Sequence, residues 1–426
     1  MERKVAITGI GPVTPIGIGL DNFWNSMISG KSGISEIEGF DDSGFQLPVK
    51  IGGQIKGFNI ADYWEDKKKV RSFNKDMDRV AQFAVVAAKL AIEDANATVE
   101  EFAKYDVAPH RIATFLGTGI GGIGTTSADV ITLYERGLKA VGLRSIIKLM
   151  PNAAAGHIGI LWGYQGRAKC DSTACASGLD SIVDAYWHIK TGQADAVIAG
   201  GSEACLNPLA ISSFYNMTAL SRRDAEATEA SCPFDKRRDG FVMSEGATVF
   251  VLEDMELAKK RGARIYGELV GAGGSCDAFH ITAPSEDGSG GALAIESALK
   301  TAGINDNREA IDYIHAHGTS TPLNDARETK GIKKVFGEHA YKLCVSSTKS
   351  MTGHLIGAAG PVGLAASTLA TVHNKVPPTI NYKEPDPDCD LDYVPNEAKD
   401  REVNYAMVQA LGFGGHNTVA IVKKAS

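Results

Sequence analysis

The sequence predicts an α/β protein with largely buried sheets, and two observations carry that prediction. Short apolar runs of strand type alternate with segments of helical periodicity along the chain. The cycle then restarts after Gly262, with no long linker between the two series. The expected organisation is one compact unit of two similar halves, 1–262 and 263–426, which share an order of elements more than a sequence.

In order, the first half reads as strand Val5–Thr8, a helix near Asn22–Ser29, a long helix Met77–Asp94 and strand Arg111–Leu116. Strand Arg167–Asp171 then runs into a helix whose apolar face is Leu179, Ile182, Val183, Tyr186 and Ile189. Strands Ala196–Ala199 and Thr248–Leu252 follow, the latter leading into helix Met255–Arg261. The second half reads as strand Arg264–Val270, helix Gly291–Ala302, strand Ile311–Ala316, helix Ala326–Phe336, strand Leu343–Ser346 and helix Gly360–His373. A closing strand pair, Tyr405–Leu411 and Asn417–Val422, completes it.

Bulk composition narrows the function classes. With 44% hydrophobic and 22% charged residues, the 426-residue chain has the make-up of a soluble globular protein. A net charge of −7 argues against a nucleic-acid binder held by bulk electrostatics. Seven scattered cysteines without a CxxC pair fit a reducing compartment, neither a disulfide scaffold nor a zinc ribbon. The stretch Ser350–Asn374 lacks Asp, Glu, Lys and Arg, yet its histidines, Pro361 and many small residues fit a buried segment better than a membrane span. No signal peptide is evident at the N-terminus, and the expected location is cytoplasmic.

Chemistry concentrates first at Cys175, in Ser172-Thr173-Ala174-Cys175-Ala176-Ser177-Gly178. A cysteine at a helix N-terminus meets unpaired N–H groups and the positive end of the helix dipole, which predicts a lowered thiol pKa. Its small neighbours would let a substrate carbonyl approach the sulfur. An inert buried cysteine is the alternative for any single such residue. Three further motifs lie in the second half: His317-Gly318-Thr319-Ser320-Thr321-Pro322, Ser346-Ser347-Thr348-Lys349-Ser350-Met351-Thr352-Gly353-His354, and Gly412-Phe413-Gly414-Gly415-His416-Asn417. Singly, each has a structural explanation.

Together these segments resemble the β-ketoacyl-acyl-carrier-protein synthases of the thiolase superfamily, in the elongating type II form with a Cys-His-His site. The resemblance runs from Ala6-Ile7-Thr8-Gly9 to Asn417. It includes Pro151-Asn152, Ala199-Gly200-Gly201-Ser202-Glu203, Pro233-Phe234-Asp235 and Val376-Pro377-Pro378-Thr379-Ile380-Asn381. It implies two stacked βαβαβαββ halves in a five-layer αβαβα unit, usually dimeric. It also implies decarboxylative Claisen condensation of a Cys175-bound acyl chain with malonyl-acyl carrier protein.

The resemblance assigns roles residue by residue. His317 and His354 would stabilise the enolate, and the backbone N–H groups of Cys175 and Phe413 would form the oxyanion hole for the acyl thioester. Phe413 would also gate the cysteine. Lys349 would hold and tune the histidines with Glu328 as its partner, and Asp325 would support the same region. Thr319 and Thr321 would bind the pantetheine arm, while Ile120 and Phe214 would line or gate the acyl pocket. The cluster Lys67, Lys68, Lys69 and Arg71 would dock the acidic carrier protein. No metal and no cofactor beyond the carrier's phosphopantetheine is implied. The partner subunit would be a second copy or a synthase-like chain-length protein. His315, two residues before His317, takes a structural reading.

Other patterns and departures qualify this picture. Gly119-Ile120-Gly121-Gly122-Ile123-Gly124 has dinucleotide-fingerprint spacing but lacks the acidic partner, so a substrate-pocket turn is expected. Gly30-Lys31-Ser32 ends like a P-loop but has Asn25 at the first glycine position, and no GxSxG elbow occurs. A non-catalytic chain-length partner would lack the nucleophile, a degradative thiolase would need a second cysteine where His416 stands, and an initiating synthase would have Asn for His354. Two segments depart from the family pattern: Gln409-Ala410-Leu411 precedes the glycine turn, and Pro361-Val362-Gly363 offers none of the buried acid that usually follows the Gly-Ala-Ala-Gly helix start and helps organise a structural cation in relatives. These departures predict no such ion and point to a specialised polyketide or polyene pathway rather than housekeeping fatty-acid synthesis.

Overall fold

A computed structural model of the chain describes residues 3–39 and 46–425. Ten strands make up the main ladder: β1 (Val5–Thr14), β2 (Ile112–Gly117), β3 (Ala168–Asp171), β4 (Ala196–Glu203), β5 (Gly246–Asp254), β6 (Gly267–Cys276), β7 (Tyr313–His315), β8 (Cys344–Ser346), β9 (Tyr405–Gly412) and β10 (His416–Lys424). Six helices matter for the site: α1 (Arg79–Ala95), α2 (Ser177–Lys190), α3 (Pro208–Asn216), α4 (Ser289–Thr301), α5 (Pro322–Phe336) and α6 (Ala359–His373).

The spatial order is β8-β7-β9-β10-β6-β1-β5-β4-β2-β3. Numbered within each half, both wings read 1-5-4-2-3, so the weak repeat in the sequence becomes an explicit repeat in topology. The wings meet where Val5, Ala6 and Ile7 of β1 pair antiparallel with Leu269, Glu268 and Gly267 of β6. The two halves thus share one continuous ladder.

Layering follows from which faces each helix buries. α1 packs on the outside of β1 and β5, α4 on the outside of β6 and β10 with α5 against it, and α2 and α6 fill the middle against each other and both wings. The result is five layers. Of these two middle helices α2 keeps a partly exposed edge with Asp184 and Trp187, whereas α6 is covered on all sides and so carries neither charge nor a polar stripe. Every residue from Ala359 to Thr371 of α6 is buried, which explains the charge-free stretch. Among the described residues no helix is long and apolar enough to cross a membrane.

Most predicted elements appear, with shifted ends: β6 begins at Gly267 rather than Arg264, and β7 covers only Tyr313–His315. The helices Ile123–Arg136, Ala153–Trp162 and α3 were not anticipated. The first of these and the segment after it turn large apolar residues outward, with Tyr134 91%, Leu138 83% and Leu143 99% exposed. It lies in the same half as β3, the terminal strand of the ladder.

Candidate active site

Parallel pairing of β2 with β3 and β4, and of β7 with β8 and β9, brings the carboxyl ends of these strands to one region. Loops leaving such ends are where open α/β sheets build sites. The repeat then pairs functional positions. Gly119 and Ile120 follow the second strand of the first half, as His317 follows the second strand of the other. Cys175 follows the third strand of its half, as Lys349 and His354 follow β8.

Cys175 lies in a short 3-10 turn, Ala174–Ala176, immediately before α2 rather than inside its first turn. Ala174 takes φ +51°, a left-handed conformation that costs a non-glycine residue. The turn is held locally: Thr173 N–H donates to Ser177 Oγ (2.9 Å), and Ser177 Oγ–H donates to the Ala174 carbonyl (2.6 Å).

Three side chains converge here. One potential donor atom each from Cys175, His317 and His354 lies within 4.8 Å of the others. His354 Nε2 is 3.1 Å from Cys175 Sγ, and the His317 and His354 rings meet edge to face at 5.3 Å. Ile356 N–H donates to His354 Nδ1 (3.2 Å), so Nδ1 is an acceptor and the hydrogen sits on Nε2, aimed at the sulfur. Lys349 Nζ donates to the His317 carbonyl. A buried ammonium next to this trio disfavours a bound cation.

Electrostatics differ from the expectation at Cys175. Burial pushes its thiol up to about 12, against opposing pulls from Lys349 and the N–H groups of Phe413 and Cys175 itself. The helix-terminus argument assumed a solvated cysteine, whereas this one is 8% exposed. Burial, followed by the charge of Lys349, holds both His317 and His354 well below the ordinary histidine range, so both are neutral donors at pH 7. Burial lowers Lys349 and raises Glu328.

Glu328 is not the direct partner of Lys349. Its carboxylate accepts from His317 N–H (2.6 Å) and Gly318 N–H (2.8 Å), and it acts on Lys349 only through charge. Asp325, fully buried, accepts from Thr319 N–H (3.0 Å), Ser320 N–H (3.2 Å) and Phe234 N–H (2.8 Å). The two acids of α5 therefore shape the loop that carries His317, Thr319 and Thr321.

Above the trio lies a cavity of about 430 Å³. Ile120, Phe214, Met217 and Phe241 line one part; Thr319, Thr321, Leu323 and Pro284 line another; Phe413 belongs to the same wall. Thr319 Oγ1 and Thr321 Oγ1 are 2.9 Å apart. The glycine-rich turn after β2 is thus a cavity wall. Lys67, Lys68, Lys69 and Arg71 are exposed on a separate helix, Lys67–Asn74, capped by Asp66, and do not line the cavity.

One departure reaches the cavity wall, and the other is buried within α6. Leu411 lines the cavity, and Gln409 beside it is buried. At Gly363, an added Cβ would lie 2.6 Å from His315 Nδ1, so the His315 ring takes up that space. His315 Nε2 bonds Thr348 Oγ1 (2.8 Å) and stays off the cavity wall. Sequence reasoning quoted Glu203 without giving it a role. It is fully buried at the end of β4, and its signal was a lone acid closing an otherwise uncharged strand.

Comparison with known proteins agrees with this geometry. The profile of the β-ketoacyl synthase N-terminal domain matches residues 2–258, and that of the C-terminal domain residues 266–383. A Synechocystis protein named 3-oxoacyl-[acyl-carrier-protein] synthase 2 is 43% identical over 99% of this chain and 98% of its own. A ketosynthase structure, described as a type II polyketide acyl-carrier protein in complex with its ketosynthase bound to the hexaketide, aligns with TM-score 0.90 at 35% identity, covering all of both chains. The ishigamide ketosynthase/chain length factor aligns at 0.89 and 32%, again over all of both chains. This chain belongs to the β-ketoacyl synthase family and is a carbon-carbon bond-forming acyltransferase of that family.

Proposed function

We propose that the protein elongates acyl chains by decarboxylative condensation with malonyl-acyl carrier protein, using Cys175, His317 and His354. The observation that carries this reading is their convergence beneath a cavity that also holds Thr319, Thr321 and Phe413. Cys175 attacks the acyl thioester, and the N–H groups of Cys175 and Phe413 receive the oxyanion. The acyl group moves to sulfur, and the thiol proton leaves with the carrier's pantetheine thiol. Malonyl thioester then enters along the Thr319–Thr321 side. Its carbonyl oxygen takes hydrogen bonds from neutral His317 and His354 while the carboxylate leaves as carbon dioxide. The enolate carbon attacks the acyl-Cys175 carbonyl, the carbon-sulfur bond breaks and a β-ketoacyl thioester remains on the carrier. Preorganised donors of this kind are worth ~10²–10³ each in rate.

Several assignments support the reading. Lys349, with Glu328 acting on its charge, keeps the histidines neutral, while Asp325 shapes the arm-binding loop. Ile120 and Phe214 bound the acyl side, and Phe413 gates the cysteine. The basic helix Lys67–Asn74 docks an acidic carrier protein. No resident cofactor is needed, because phosphopantetheine delivers both substrates. Residues 1–262 and 263–426 act as two halves of one unit. The exposed apolar segment around Tyr134 and Leu143, with the free edge of β3, suits a second subunit, either a copy of this chain or a chain-length partner of the kind named in the ishigamide structure. Seven unpaired cysteines fit the cytoplasm. The departure at the wall residue Leu411 and the buried one at Gly363 favour a polyketide or polyene product.

The test mixes the protein with acyl-carrier-protein thioesters of graded chain length and malonyl-acyl carrier protein, reading intact masses. Acylation that is lost in Cys175→Ser, with a ketoacyl product, supports the reading, and the preferred chain names the pathway. Acylation without product points to a missing partner subunit. No acylation by any donor overturns it.

A further inference from the structure

Glu203 is a buried acid with no place in the chemistry above, and its contacts are unusual. Oε2 accepts from Gly119 N–H (2.8 Å) and Gly357 N–H (3.1 Å), while Oε1 accepts from Thr118 Oγ1–H (3.1 Å). Gly119 leads into Ile120, from the first half of the chain. Gly357 follows Ile356, from the second half. Both isoleucines line the cavity beside Cys175, and Ile356 N–H is the group that fixes His354 Nδ1. One carboxylate therefore ties together two cavity walls and the backbone that orients a histidine.

The contact leaves no slack. A Cβ at Gly119 would lie 2.8 Å from Ile356 Cγ2 and 2.9 Å from Glu203 Oε2, and one at Gly357 would lie 2.5 Å from Gly119 N. Ile356 itself has φ +45°, a conformation a β-branched residue keeps only where its surroundings impose it. Hydrogen bonds at Ile356 N and Gly357 N flank that conformation here.

We propose that Glu203 is a positioning residue that sets acyl-chain selectivity by holding the Ile120 and Ile356 turns together. It does so with hydrogen-bond acceptors. A glutamine can supply the same acceptor oxygen to both N–H groups while its amide faces Thr118, whereas leucine fills the space and leaves both donors unpaired. The proposal deepens the condensation reading, but its primary test does not need that reading.

The experiment measures alkylation of Cys175 by short- and long-chain N-alkyl iodoacetamides, located by peptide mass because Cys276 is exposed and reacts as well. The ratio of long- to short-chain rates cancels changes in the intrinsic reactivity of the thiol. It is read on protein whose folded state circular dichroism verifies, because unfolded chains would expose Cys175 to both reagents. In Glu203→Leu the ratio should rise about tenfold, the scale of discrimination a methylene contact supplies. In Glu203→Gln it should stay near that of the parent. Should Glu203→Leu fail to fold, Gly119→Ala drives a methyl into the same contact and should move the ratio too. An unchanged ratio in the variants that fold, with only a lower melting temperature, overturns the proposal. So does a Glu203→Gln ratio as altered as that of Glu203→Leu. With acyl-carrier thioesters in place of the iodoacetamides, the same shift in donor preference should follow. A wild-type protein that is alkylated but never acylated would count against the condensation reading alone.

Discussion

His354 Nε2 stands 3.1 Å from Cys175 Sγ with its hydrogen directed at the sulfur, because Nδ1 is already occupied by Ile356 N–H. That orientation makes His354 a donor to Cys175 rather than a base waiting for its proton. The same donor can serve an enolate once the sulfur is acylated, so nucleophile and decarboxylation site are separable. In Cys175→Gln, condensation should be abolished while malonyl-carrier protein still loses carbon dioxide. Ketoacyl product at the parental level would remove Cys175 from the nucleophile role.

His317 tests the other side of that separation. Its ring meets His354 edge to face, and burial keeps it neutral. His317→Ala should lower carbon dioxide release by about 10²–10³, the range for losing one preorganised donor, yet leave Cys175 able to accept an acyl group. Mass spectrometry of the acyl-enzyme, beside a carbon dioxide assay, separates the two steps.

How far the sequence showed these features depended on the range of each interaction. Cys175, His317 and His354 were legible because each sits in a short local motif after a strand. The helix α6 was legible as buried from its lack of charge. The helix Ile123–Arg136 was not, since Val130 and Tyr134 turn their apolar surface outward and blur the expected core-facing periodicity. The raised Cys175 thiol escaped notice because it depends on burial created by residues such as Ile356 and Phe241, far along the chain. Glu203 was illegible as a clamp for the same reason: its partners lie 84 and 154 residues away.

Acid should weaken the fold partly through His315. Burial and the charge of Lys349 hold its imidazole down to about 3. The unfolded chain protonates the same group near 6.5, so between these values the unfolded state binds more protons and stability falls as pH falls. Each such group contributes up to ~1.4 kcal/mol per pH unit in that window. Denaturant titrations between pH 5 and 7.5 should therefore show a shallower pH slope in His315→Gln than in the parent. Parallel slopes would mean that His315 is not held neutral by the fold.

Gly363 and His315 should behave as a coupled pair. A methyl at Gly363 would meet His315 Nδ1 at 2.6 Å and Val408 Cγ2 at 2.9 Å, with nothing flexible to give way. Overpacking of this kind costs ~1–3 kcal/mol. Gly363→Ala should lose about that much stability, and less in a His315→Ala background, where the ring is gone and the Val408 contact remains. A double-mutant cycle with no coupling would show that the clash is relieved elsewhere.

Lys349 should act on two chemistries in opposite senses. Its charge is the leading influence that lowers the Cys175 thiol pKa against burial, and after burial it is the leading influence that depresses His317 and His354. Removing it in Lys349→Met leaves the thiol harder to ionise, so alkylation of Cys175 at fixed pH should slow. Both histidines then protonate more readily, and a protonated pair attracts the malonyl carboxylate that must depart. The acid limb of the decarboxylation rate should therefore move to higher pH. A simple loosening of the site would expose Cys175 and speed its alkylation. Slower alkylation together with an upward-shifted acid limb is the signature of a lost charge, and faster alkylation with an unmoved limb would assign Lys349 a packing role only.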